Sequence, residues 1–125
     1  MIKLLLVGLG GFVGAVGRYL VSGLAQKIFN TETYPVGTIT VNVIGCLILG
    51  FLAGLVQTRE FLGTEFRLCI MIGLLGSFTT YSTFSYETVM LLRDGQYIAA
   101  LVNVAGHLIL GLLAVAGGYA VANAV

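Results

Sequence analysis

Charged residues are missing from four long stretches of this chain, and that pattern constrains its fold more than any motif. Between Lys3 and Lys27 only Arg18 is charged; there is no charge between Glu32 and Arg59, between Arg67 and Glu87, or after Asp94. A helix that crosses a bilayer needs roughly 20 mostly apolar residues, so the stretches predict spans at about 4–26, 37–57, 67–92 and 97–123. The links between them are short and carry turn or polar residues: Asn30-Thr31-Glu32 with Tyr34-Pro35, then Thr58-Arg59-Glu60, then Arg93-Asp94-Gly95. Short links favour antiparallel neighbours. The expected fold is an all-α integral membrane protein, one four-span domain over residues 1–125.

Composition excludes the main rivals to that class. Only 9% of residues are charged, against about a quarter in a soluble domain. A chain that is 58% hydrophobic is not disordered. Six Lys+Arg against five Asp+Glu form no basic block, which argues against a nucleic-acid partner. Cys46 and Cys69 sit in apolar runs without metal-ligand spacing and read as small core residues. The opening Met-Ile-Lys before an apolar run has the look of a signal peptide, but Gly17-Arg18-Tyr19 is a poor cleavage context, so the first stretch reads as a retained span. No constellation for catalysis is present, and the chain does not read as an enzyme.

Four spans put both termini on one side. That side carries Lys3, Arg59 and Arg67; the other carries Lys27 and Arg93, with Arg18 near it. Lys/Arg excess normally sets membrane orientation, and here the two sides balance. Either another cue orients the chain, or it inserts both ways and pairs with an inverted copy. A chain this short also struggles to enclose a pathway alone.

The polar residues fall on helix faces. Thr38, Asn42, Cys46, Gly50 and Gly54 are each four residues apart and share one face of the second span. Gly50 and Gly54 form a small-xxx-small pair suited to helix packing. Asn42 is costly in hydrocarbon and needs partners, either an interhelical hydrogen bond or a functional contact. Gly10, Gly14 and Arg18 repeat the spacing in the first span; Arg18 either snorkels to the surface or lines a vestibule. Asn103, His107 and Gly111 repeat it in the fourth. His107 reads as a hydrogen bond to a neighbouring helix, a proton relay or an anion donor.

The third span is the informative one. From Ser77 to Glu87 every residue is Ser, Thr, Phe, Tyr or Glu. Ser and Thr compete for backbone hydrogen bonds, so this segment is either unwound or a continuous helix with its hydroxyls bonded back to i−4 carbonyls. Unwound backbone at membrane depth survives only when buried in protein or lining a wet cavity. Glu87 is the only carboxylate plausible within a span, which weakens a cation- or proton-coupled mechanism. The available groups are amide and hydroxyl donors and the positive edges of aromatic rings, which suit an anion. A conducting site must replace an ion's hydration with several weak partners.

Three motifs in order, G-x-x-G-A-x-x-R-Y at Gly11 to Tyr19, G-T-x-x-V-N at Gly37 to Asn42, and G-x-x-G-x-x-T-T-Y-S-T-F-S-x-E at Gly73 to Glu87, resemble the Fluc (CrcB) fluoride channels of microbes. The resemblance covers the whole chain. It implies a passive channel that exports F⁻ and lowers fluoride toxicity, in the inner (plasma) membrane of the cell. It implies an antiparallel, dual-topology homodimer in which breaks in the third helices meet, at mid-membrane, around a structural Na⁺. The backbone carbonyls of Gly76 and Thr79 match the sodium positions. Tyr81 and Phe84 match the ring-edge positions, Asn42 the pore amide and Arg18 the vestibule arginine. Thr38, Ser82, Thr83 and Glu87 match positions near the polar track. Two departures stand out: Tyr81 replaces a phenylalanine, and Gly111 stands where relatives often carry a pore serine. Two other functions fit four short spans. A dual-topology, proton-coupled multidrug transporter would need a carboxylate in the first span, which holds only Arg18. A non-transporting assembly subunit would leave the Ser77–Glu87 stretch unexplained.

Overall fold

The computed structural model describes residues 1–58 and 63–125. Arg59 and Glu60, read above as part of a link and of the charge balance, lie outside the described residues. The chain is helical: α1 (Ile2–Ile28), α2 (Val36–Thr58), α3 (residues 64–78), α4 (Tyr81–Arg93) and α5 (Tyr97–Ala124). Among the described residues there is no strand. Taken together, α3 and α4 make one interrupted hydrophobic element, Thr64–Arg93, and with α1, α2 and α5 they give four helical elements long and apolar enough to cross a membrane.

Local chemistry explains where the helices stop. After α1 the backbone turns through Asn30 at φ 46°, a left-handed conformation that Asn tolerates better than most residues. Pro35, which cannot continue a helix from before but can begin one, precedes α2. Gln26 ties this corner together. Its Nε2 donates to the carbonyls of Thr31 (2.8 Å) and Tyr34 (3.0 Å), and its Oε1 accepts the otherwise orphaned Gly37 N–H at 3.0 Å. Gly95, at φ 73°, closes α4.

Within α3, residues Arg67–Leu75 wind as a π-helix, with wider turns than an α-helix. Nothing in the apolar run that follows Arg67 distinguishes it from an ordinary span.

The helices pack as two close pairs, α1 with α3 and α2 with α5; α1 and α2 join the pairs, and α4 leans on α5. Each pair is closed by backbone approach. A methyl at Gly14 would overlap the Leu74 carbonyl, and one at Gly50 would overlap that of Val115. The Gly50/Gly54 face is therefore a packing face within this chain, as its spacing implied. The enclosed core is small, with Val41, Leu75, Phe78, Leu91 and Ala100 among its members. Long apolar side chains cover the outside instead: Leu5, Leu9, Phe12, Leu20 and Leu24 of α1 are all exposed. Such a surface belongs against lipid or another apolar surface, not water. The chain is a multi-pass membrane protein.

Candidate functional site

The interruption between α3 and α4 organises the site. Thr79 (φ −82°, ψ 159°) and Thr80 (φ −152°, ψ 114°) are both extended. Asn42 of α2 reaches across and pairs with the backbone of Thr80 twice. Its Oδ1 accepts the Thr80 N–H at 2.8 Å, and its Nδ2 donates to the Thr80 carbonyl at 3.0 Å. Of the two readings left open for Asn42, this supplies the interhelical bond and leaves the second amide hydrogen for another acceptor. The Thr80 hydroxyl restarts the helix as an N-cap: it accepts the Thr83 N–H at 3.2 Å and donates to the Thr83 hydroxyl at 2.9 Å.

These side chains take donors away from the helix ladder. In a continuous α-helix the Gly76 carbonyl would accept from Thr80 N–H and the Thr79 carbonyl from Thr83 N–H. Both N–H groups point elsewhere. The Gly76 and Thr79 carbonyls named for sodium are thus two of those that the break leaves without their i+4 donors. Carbonyl oxygens are hard donors suited to an alkali cation, and so the residues present fit that ion.

A cavity of about 350 Å³ opens beside the break. Asn42, Gly76, Thr79, Tyr81 and Phe84 all border it, and among the described residues no carboxylate does. The Tyr81 and Phe84 rings lie 5.7 Å apart between centroids, tilted at 55°. Phe84 is partly covered, while Tyr81 is 80% exposed. The wall thus combines an amide, hydroxyls and two aromatic rings, groups whose N–H, O–H and ring edges can replace water around a small anion without binding it tightly.

The other residues matched to the fluoride path, Arg18, Thr38, Ser82, Thr83 and Glu87, do not line that cavity. Arg18, Thr38 and Thr83 border a second one of about 260 Å³, to which Thr80 also belongs. Glu87 borders a third of about 180 Å³, with Glu32 and Asp94. The Thr38 hydroxyl donates to Glu87 Oε1 at 2.7 Å, and Glu87 Oε2 is enclosed without a partner. Ser82 is exposed, its hydroxyl 3.4 Å from that of Thr80. Thr38 and Asn42 share a helix face but serve different partners, because one turn of α2 carries the face from Glu87 to Thr80.

Thr80 did not emerge from the sequence as a site residue, whereas His107 was one of its candidates. Thr80 borders both the 350 and the 260 Å³ cavities and holds the break open. The signal for it is a threonine three residues before Thr83, at the point where a helix restarts. His107 borders the 350 Å³ cavity with its ring 4.3 Å from that of Phe84. Its hydrogen bond departs from the expected one: Nδ1 is 2.9 Å from the Asn103 carbonyl of its own helix, not of a neighbour. Gly111 faces Cys46, where an added Cβ would sit 3.7 Å from Sγ, so the missing side chain leaves room. Both cysteines are free, and among the described residues no His, Cys, Asp and Glu cluster could hold a metal ion.

Comparison with known proteins gives a consistent picture. Residues 5–119 match the family described as CrcB-like protein, Camphor Resistance (CrcB). The chain is 43% identical over 120 residues to the fluoride-specific ion channel FluC of Maridesulfovibrio salexigens, covering 96% of this chain and 94% of that one. It is 47% identical over 113 residues to the protein of the same name from Opitutus terrae, covering 89% and 85%. The corresponding protein of Methylobacillus flagellatus is 39% identical over 113 residues, covering 90% and 88%.

Proposed function

The chain belongs to the CrcB family, and from that premise we propose that it is a fluoride-specific ion channel that lets F⁻ leave the cell passively. The observation that carries the reading is the cavity beside the break, with Asn42, Phe84 and Tyr81 on its wall and, among the described residues, no carboxylate. Fluoride is small and costly to dehydrate, so a conducting path must supply several weak donors along its length. Asn42 contributes an amide hydrogen, and Tyr81 and Phe84 contribute ring edges. Thr38, Ser82 and Thr83 add hydroxyls, and Arg18 draws anions toward the mouth. Glu87, held by Thr38, orients that hydroxyl and carries no current itself. Acid outside a cell favours entry of neutral HF, which dissociates in the near-neutral interior. A selective leak in the plasma membrane, driven by the membrane potential, then removes the trapped anion.

The working unit in this proposal is an antiparallel homodimer. The balanced charge of the loops supports insertion in both orientations, and the exposed apolar faces of α1 and α5 supply surface for a second copy. The break then lies at mid-membrane depth, where protein must cover it. A structural Na⁺ would be held by the Gly76 and Thr79 carbonyls of two copies, neutralising oxygens that have no helix donor. A map of the purified protein should show two inverted copies with spherical density between those four carbonyls. A parallel pair, or a centre without density, would overturn this assembly.

Anion efflux from proteoliposomes tests the function, with fluoride and chloride electrodes side by side and valinomycin carrying the compensating K⁺. Fast fluoride release with little chloride release is the expected result. Folded protein that releases neither ion would overturn the channel reading.

A further inference from the structure

Four residues join α4 to α5 in a closed circuit. The Thr88 hydroxyl donates to the Phe84 carbonyl at 2.8 Å. Asn103 Nδ2 donates to the Thr88 hydroxyl oxygen at 2.9 Å. The Asn103 carbonyl accepts from Nδ1 of His107 at 2.9 Å. The imidazole then lies against the Phe84 ring, with centroids 4.3 Å apart and planes tilted by 43°. Phe84 is gripped at both ends, by its backbone and by its ring.

The circuit is not what apolar packing alone would select. Asn103 is 0% exposed on a mostly apolar helix, and its Oδ1 has no partner. A buried amide with an unmet acceptor costs free energy that an aliphatic residue would not. His107 is similar. A carbonyl can only accept, so Nδ1 carries the hydrogen, and Nε2 on the far side of the ring is enclosed and unpartnered. Polar groups kept at such cost inside a membrane helix point to a role other than folding.

That role follows from the electronics of a phenyl ring. Its edge is positive and its face negative, so the same ring attracts or repels an anion according to its orientation. A ring that turns freely presents the wrong surface for part of the time. We propose that Thr88, Asn103 and His107 are positioning residues that hold the Phe84 ring in one orientation at the cavity, and so set the channel's preference for a small anion from α5. This rests on the reading that Phe84 borders the fluoride path.

Single-channel fluoride currents of the purified full-length protein in planar bilayers test it. Thr88→Val keeps the side chain's shape and deletes the hydroxyl, cutting the circuit at both of its bonds. It should lower the fluoride conductance about tenfold, equivalent to roughly 1.4 kcal/mol. Thr88→Ser returns the hydroxyl and should recover the current. His107→Ala, which removes the ring contact by a different route, should match Thr88→Val. A merely structural role would lower thermal stability while leaving the conductance of each folded channel unchanged. Wild-type conductance in both Thr88→Val and His107→Ala, with Phe84→Ile silent, overturns the clamp and spares the channel. No fluoride current from the wild type, or full current from Phe84→Ile, overturns the reading beneath it, and the clamp falls with it.

Discussion

Phe84→Ile should give a folded protein, unchanged in assembly, that releases no fluoride from proteoliposomes. Isoleucine keeps apolar bulk beside His107 but has no ring, and therefore no positive edge to offer an anion. The packing change is modest, about 1–3 kcal/mol for altered shape in a tight site. The functional change is large, because dehydration of fluoride is then uncompensated at that point of the path. Size-exclusion chromatography separates the two effects: the elution volume should match the wild type while the efflux trace matches empty liposomes. Efflux at the wild-type rate would remove Phe84 from the pathway.

Asn42→Asp should be as damaging, for two reasons that act in the same direction. The substitution is nearly isosteric, but a carboxylate only accepts. The Thr80 N–H keeps its bond, while the Thr80 carbonyl loses the donor now 3.0 Å away and faces a negative oxygen instead. The Thr80 carbonyl keeps the first helical bond that it accepts as the N-cap of α4, so the lost hydrogen bond costs about 0.5–1.5 kcal/mol. The same charge stands on the wall of the 350 Å³ cavity and repels an anion entering it. Fluoride efflux should stop and the melting temperature should fall together. Unchanged efflux would place Asn42 outside the path and leave it with its tie to Thr80 alone.

The helical spans were legible because charge and turn residues mark their ends. Each helical element begins and ends within about three residues of the uncharged stretch that predicted it, and Asn30, Pro35 and Gly95 act locally, as their chemistry dictates. The π-helix at Arg67–Leu75 was not legible, because Leu, Ile, Met and Cys carry no mark of how widely the backbone winds. In the site, spacing put Thr38 and Asn42 on one face correctly. Their partners lie 49 and 38 residues away in the chain, at Glu87 and Thr80, and depend on how α2 meets α4. Helical periodicity has no access to that. His107 shows the same limit: its own-helix bond to Asn103 follows from i−4 spacing, whereas its contact with Phe84 follows from the packing of α4 on α5.

The pairing of Asn42 with the Thr80 peptide also bears on how the chain is made. Asn42 lies on α2, so during synthesis it leaves the ribosome before Thr79 and Thr80 do. Insertion in order of synthesis should therefore bring the extended peptide into the bilayer with its partner already in place. Were the order of the elements reversed, the Thr80 N–H would wait in hydrocarbon without that acceptor, at several kcal/mol. The sequence of biogenesis thus spares the break its least stable intermediate, and a circular permutation that delivers α2 last should insert poorly even if its finished fold were the same.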